Sequence, residues 1–144
     1  MMRTLIFVLV FLVHLQLIAS LTPPEKAVKD FVMVFWKYRS LRDTDIYHRD
    51  FKYIDSNGND ATEKILQYWK SDERVQFSAE KYKEGLKKNN FWSNFFRGHT
   101  ARFVDEDKLL EEEEFINNKL TSKWLMIPDS NVEGGYKLLK VVEY

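Results

Sequence analysis

Cysteine is absent from the chain, which excludes disulfides and thiolate metal sites and leaves burial as the source of stability. An excess of either charge is absent too, with 22 Lys and Arg against 22 Asp and Glu. Binding a phosphate backbone needs a concentrated basic face, so nucleic acid is not an expected partner. No Asn-x-Ser/Thr triplet occurs, which removes the N-glycosylation acceptor. Internal repeats and low-complexity linkers are lacking. Beyond the first residues no apolar run approaches the roughly 20 residues a membrane span requires, so one globular domain is expected.

What is present begins at the N terminus. Arg3 precedes an apolar run over residues 5–13 and a tail ending Leu17-Ile18-Ala19-Ser20, the three-part pattern of a secretory signal peptide. His14 and Gln16 interrupt the run before it reaches spanning length, and an uncleaved anchor is the competing reading. Cleavage is expected after Ser20, with Ala19 as the neighbouring option. The product is a secreted, extracellular domain over residues 21–144, with no membrane span once the signal peptide is gone and Arg3 the only charge lost. Aromatic residues make up 15% of the chain and supply the bulk that a core without disulfides needs.

Thr22-Pro23-Pro24-Glu25 has the spacing of a capping box with prolines in the first turn. Ala27, Val28, Phe31, Val32, Phe35, Tyr38 and Leu41 then recur every three or four residues, predicting a helix over residues 23–41. Asp43-Thr44-Asp45 can cap a short second helix at 46–49. A brief strand at 51–54 runs into the turn Ser56-Asn57-Gly58-Asn59, and Asp60 with Glu63 caps a third helix over 61–70. Val75, Phe77 and Ala79 alternate with polar residues and read as a strand ending at a Gly85 turn. Residues 91–104 read as an aromatic, β-branched strand. Residues 123–127 and 136–143 form a hairpin with a long loop. Residues 105–120, with Glu111-Glu112-Glu113-Glu114, fit either a helix by propensity or, as preferred here, a strand over 109–118. Helices first and antiparallel strands after is an α+β signature.

This order of elements, with Pro-Pro-Glu-Lys-Ala-Val-Lys-Asp-Phe after the signal peptide, Asp50-Phe51, Ile54-Asp55-Ser56-Asn57-Gly58 and Gly135-Tyr136-Lys137-Leu138-Leu139-Lys140, resembles the nuclear transport factor 2-like superfamily. More narrowly, it resembles the small secreted members that nematodes carry in many copies. The resemblance covers residues 23–144 and implies a cystatin-like α+β cone. In such a cone a strongly curved antiparallel sheet carries the N-terminal helices on its concave face, with a pocket at the open end. Dimerisation through the convex sheet is plausible for the superfamily. The superfamily holds enzymes, ligand binders and interaction domains, so membership does not fix function.

Its enzymes often place an Asp, Tyr or His inside the cone, as ketosteroid isomerase does. The groups available here are His48, Asp50, Tyr53, Asp55 and His99, with Glu111 to Glu114 further on. The leading catalytic candidates are His48, Asp50 and His99. The plainer reading is that His48 sits in a polar helix end, His99 follows a strand glycine, and the two aspartates are solvated. If the Glu run is a strand, two carboxylates face each side and one pair can approach the pocket. No metal is expected, since two distant histidines and no cysteine leave no ligand spacing. The stretch Asp55-Ser56-Asn57-Gly58-Asn59-Asp60 resembles a calcium loop but has Leu66 where the closing Glu belongs. No cofactor is implied.

The aromatic set is the stronger lead. Phe31, Phe35, Trp69, Phe91, Trp92, Phe95 and Phe96 are candidates for a ligand pocket or an interface. On a strand, Phe91 and Phe95 would oppose Trp92 and Phe96, leaving one pair exposed unless covered. The plainer reading is a dense core and a covered sheet face. Two functions are consistent with this set: a secreted non-enzymatic domain binding a small apolar ligand or a protein partner, or an isomerase- or dehydratase-type enzyme using an interior Asp or His.

Overall fold

A computed structural model of the chain describes residues 21–87, 90–106 and 109–144; the expected signal peptide, residues 1–20, lies outside the described residues. In chain order the elements are α1 (Pro23–Ser40), β1 (Tyr47–Ile54), α2 (Thr62–Trp69), α3 (Asp72–Lys87), α4 (Phe91–Phe95), β2 (His99–Val104), β3 (Leu109–Ile116), β4 (Lys119–Pro128) and β5 (Tyr136–Glu143), with a 3-10 turn at Glu133–Gly135 before β5. The class is α+β. No helix among the described residues is long and apolar enough to cross a membrane.

The start of α1 is dictated by its sequence. The Thr22 hydroxyl accepts the Glu25 N–H at 3.3 Å, and the Glu25 carboxylate accepts the Thr22 N–H at 2.9 Å. This capping box, with prolines in the first turn, satisfies N–H groups that the helix itself leaves unpaired. The helix buries Val28, Phe31, Val34 and Phe35 on one stripe.

Three expected elements are corrected. Residues 46–49 are not a helix: Asp43 Oδ1 accepts the Asp45 N–H, Thr44 O accepts the Tyr47 N–H, and β1 begins directly at Tyr47. Aromatic Tyr47, Phe51 and Tyr53 suit an extended half-buried strand. The expected strand at 75–79 belongs to α3, whose inward residues Arg74, Phe77, Ser78, Lys81, Tyr82 and Gly85 follow helical spacing. Asp72 and Glu73 lie in its first turn and Lys87 in its last, each favourable to the helix dipole. Gly85 makes no turn. It sits inside α3 where a Cβ would lie 2.5 Å from Met33 Sδ, so it lets α3 approach α1. Finally, residues 91–104 are not one strand, because 91–95 form α4 and only His99–Val104 are extended. The Trp92 indole N–H donates to Gly85 O at 3.3 Å, which ties α4 to α3.

The sheet has the order β1-β5-β4-β3-β2. Four strands, β2 to β5, are successively antiparallel, but β1 runs parallel to β5, so the sheet is mixed where an antiparallel one was expected. It is open, and not strongly curled or closed. The preferred strand for the Glu run holds. Its turn into β4 is Asn117-Asn118, both with positive φ (52° and 63°), the pair that a tight type I′ hairpin demands. Leu110, Met126 and Leu138 lie side by side on β3, β4 and β5 and are fully buried.

The β4–β5 connection is pinned to α1. Lys37 Nζ meets Glu133 Oε2 at 3.0 Å. Gly134 has φ +80°, and a Cβ there would lie 2.9 Å from Val34 Cγ2. Gly134→Ala therefore combines a left-handed conformation with a collision and is expected to destabilise the fold by about 1–2 kcal/mol. Urea denaturation checks this, and an unchanged midpoint would contradict it.

Candidate functional site

Helix α1 presents Val32, Phe35, Trp36 and Arg39 on one face, because residues three, four and seven apart share a helix side. That face, with Arg74 and Phe77 of α3 and Phe95 of α4, covers His99, Glu112, Glu114, Ser122 and Trp124 of the sheet. The space between is a cavity of about 170 Å³.

The sheet wall carries the acid–base groups. Strand alternation turns Glu112 and Glu114 toward the helices, aligned across β2 and β4 with Ala101 and His99, Trp124 and Ser122. Glu111 faces the other side, where Arg102 Nε meets its Oε1 at 2.7 Å. Glu112 is 6% exposed and contacts His99 Nδ1 through Oε1. Burial pushes the Glu112 carboxyl above the usual carboxylate range, and the hydrogen bond from His99 pulls partly against that rise. His99 Nε2 lies 3.7 Å from Glu114 Oε2. The Glu114 Oε1 in turn accepts the Thr121 hydroxyl at 2.6 Å. Phe95 stacks on the imidazole with ring centroids 3.9 Å apart and planes 8° from parallel, which fixes the ring.

The helix wall is cationic. Arg39 is 5% exposed; its Nε donates to the Ser78 hydroxyl, and Ser78 Oγ donates to Arg74 O at 2.8 Å. Burial, with Arg74 nearby as a second cation, lowers the Arg39 guanidinium to about 10, still protonated at neutral pH. Arg39 lies over Phe35 at 5.0 Å and Phe77 at 5.9 Å, and Arg74 lies over Phe77 at 4.2 Å. The Arg74 Nε is buried without a hydrogen-bond partner among the described residues.

Of the residues expected from sequence, Phe35, Phe95 and His99 meet at this cavity, together with Glu112 and Glu114 of the Glu run. Phe31 is core beneath it, and Trp69 is a core residue ringed by aromatics. Trp92 is buried and stacked on Trp36 with centroids 5.8 Å apart; Phe91 and Phe96 pack around it. The two opposed aromatic strand faces do not exist, since α4 gathers these rings onto the core.

His48 and Asp50 sit on the edge strand β1, away from the cavity, with the Asp50 N–H donating to His48 Nδ1 at 3.1 Å. Asp55 Oδ1 accepts the N–H groups of Asn57 and Asn59 at 3.0 and 2.9 Å, closing a turn. Tyr53 donates its hydroxyl to Glu143. No cluster of three metal-ligating side chains occurs among the described residues.

Sequence reasoning misses Arg39 and Arg74. Arg39 is detectable, because it is four residues beyond Phe35, a place on the stripe where an apolar residue belongs. Arg74 is not, because the alternation beside it imitates a strand. Comparison with known proteins gives no match to a family model, a curated protein or a solved structure.

Proposed function

We propose that the protein is an exported, nuclear transport factor 2-like binding domain whose helix–sheet cavity takes one small ligand. The cavity carries this reading. Its wall is mainly Val32, Phe35, Trp36, Phe77, Phe95 and Trp124, with a few polar groups converging on it, the composition typical of small-molecule sites. Protein docking through an aromatic strand face loses its support, because those aromatics pack inward. A long first helix, a strand, three helices and then four antiparallel strands, with helices over one sheet face, support the superfamily reading. On that reading the covered face is the concave side of a cone. The charged, apolar and small-residue segments of residues 1–20 support export and cleavage after Ser20.

The experiment is NMR of the indole and imidazole signals during titration with benzyl alcohol, a ring-sized neutral probe. Shifts confined to Trp36, Trp124 and His99 are expected at millimolar concentration. Silence at these residues with every ring-sized probe would end the binding reading.

A separate observation favours a second reading. The His99–Glu112 pair sets an imidazole against a buried carboxyl on the wall of an apolar cavity, the kind of pair an isomerase or dehydratase of this superfamily would use. On that reading His99→Gln retains probe binding but abolishes exchange of a bound carbon acid's proton with solvent deuterium. Equal exchange in both proteins would remove His99 from any such chemistry.

A further inference from the structure

The cavity has an imbalance that its protein groups do not resolve. Two guanidinium groups gather on one phenyl ring, Phe77, with Arg39 at 5.9 Å and Arg74 at 4.2 Å from its centroid. Arg39 is nearly inaccessible, and the Arg74 Nε is buried with no acceptor among the described residues. A buried cation is costly unless an anion pairs with it. Yet among the described residues no carboxylate forms an ion pair with either Arg39 or Arg74. Ring faces compensate a cation in part, but they offer no in-plane acceptor to the guanidinium N–H fork. The two cavity carboxylates are otherwise engaged, Glu112 with His99 and Glu114 with Thr121.

We propose that the cavity recognises a small carboxylic acid, its carboxylate held by Arg39 and Arg74 and its apolar body packed on Phe35, Phe77 and Trp124. The guanidinium fork matches carboxylate geometry, and a ligand carboxylate supplies the acceptor that Arg74 Nε lacks, with the Arg39 guanidinium as the second cation beside it. Size limits the body. A cavity of about 170 Å³ is close to the roughly 150 Å³ apolar cavity known to hold one benzene ring, so a single ring or a short branched chain fits within it. The acid end lies on the helix wall because the sheet wall is acidic. This inference rests on reading the cavity as a ligand site and adds the ligand's charge.

The test is calorimetric titration of the full chain with benzoate, phenylacetate and isovalerate, each beside an alcohol of matched size. At least one acid is expected to bind tenfold or more tightly than its alcohol. Arg74→Gln, at a partly exposed position and therefore compatible with folding, should remove that preference by weakening the acid. Arg39→Lys, which keeps the charge but loses the fork, should weaken the acid by an intermediate factor. Equal binding of acids and alcohols, or acid binding indifferent to Arg74→Gln, overturns carboxylate recognition and leaves the cavity as a neutral-ligand site. No binding of acid or alcohol overturns both readings together.

Discussion

Trp69→Ala is expected to lower the free energy of unfolding by about 3–5 kcal/mol, the range for truncating a buried large aromatic. Trp69 is the one buried residue of α2, a helix of 8 residues, too short to persist in water without tertiary contacts. Its indole meets Phe35 at 5.5 Å, Tyr47 at 5.9 Å, Tyr53 at 5.9 Å and Trp124 at 5.8 Å between ring centroids. One side chain therefore joins α2 to α1, β1 and β4. Small domains have about 5–15 kcal/mol in total, so the variant should lose a large share of its stability. The near-ultraviolet circular dichroism from the aromatic cluster should weaken even where the chain remains folded. Urea denaturation measures the first effect, and a change below about 1 kcal/mol would mean that neighbouring rings close the gap.

Glu112→Gln should change how stability varies with pH. Burial raises the Glu112 carboxyl in the folded protein above its ordinary 4.5, so the folded state holds its proton more tightly than the unfolded chain does. The sign is set by linkage. The associated stability is fully present below about pH 4.5 and is lost as pH rises through the raised folded-state value. Gln carries no charge to desolvate and can still accept a hydrogen bond from His99. The two proteins should match near pH 4 and separate as pH rises toward 8, with the variant the more stable. The gap should widen steadily with pH, because His99 offsets only part of the buried carboxylate's desolvation. Thermal unfolding at a series of pH values reads this directly. Parallel curves would show that Glu112 ionises in the folded protein as readily as in water.

How far the sequence can be read depends on where the determining contacts lie. Helix α1 is legible because Thr22, Pro23, Pro24 and Glu25 settle its start locally and its stripe runs for 18 residues. Helix α3 is easily mistaken for a strand because Val75, Phe77 and Ala79 alternate by accident within a wider pattern in which Phe77, Ser78 and Lys81 share a side with Arg74. Strand β3 is legible against the helix propensity of four consecutive glutamates only through the strands downstream of it in the chain. In the fold, pairing with both β2 and β4 overrides intrinsic preference. The Asn117-Asn118 pair is the local hairpin signal in that stretch, and its positive φ values give it that meaning.

The site is legible by halves. Alternation along a strand implies that two of the four glutamates face inward, and Glu112 and Glu114 do. Their partner His99 stands out by residue type alone, but its pairing with Glu112, thirteen residues on, depends on register across a hairpin. Arg39 is hidden in plain view among apolar neighbours.

The parallel pairing of β1 with β5 also bears on how the molecule is made. Tyr47 to Ile54 have no strand neighbour among the described strands other than residues of 136–143, and α2, α3, α4 and three strands lie between them in sequence. On a chain that emerges from its N-terminal end, Tyr47, Phe51 and Tyr53 must wait for nearly the whole domain before the backbone beside them is satisfied. Closure over such a separation is slow compared with hairpin formation. During that interval the nascent chain presents an unpaired aromatic edge, the kind of surface that chaperones hold. The β1–β5 pair can therefore form only after residues 136–143 have been synthesised.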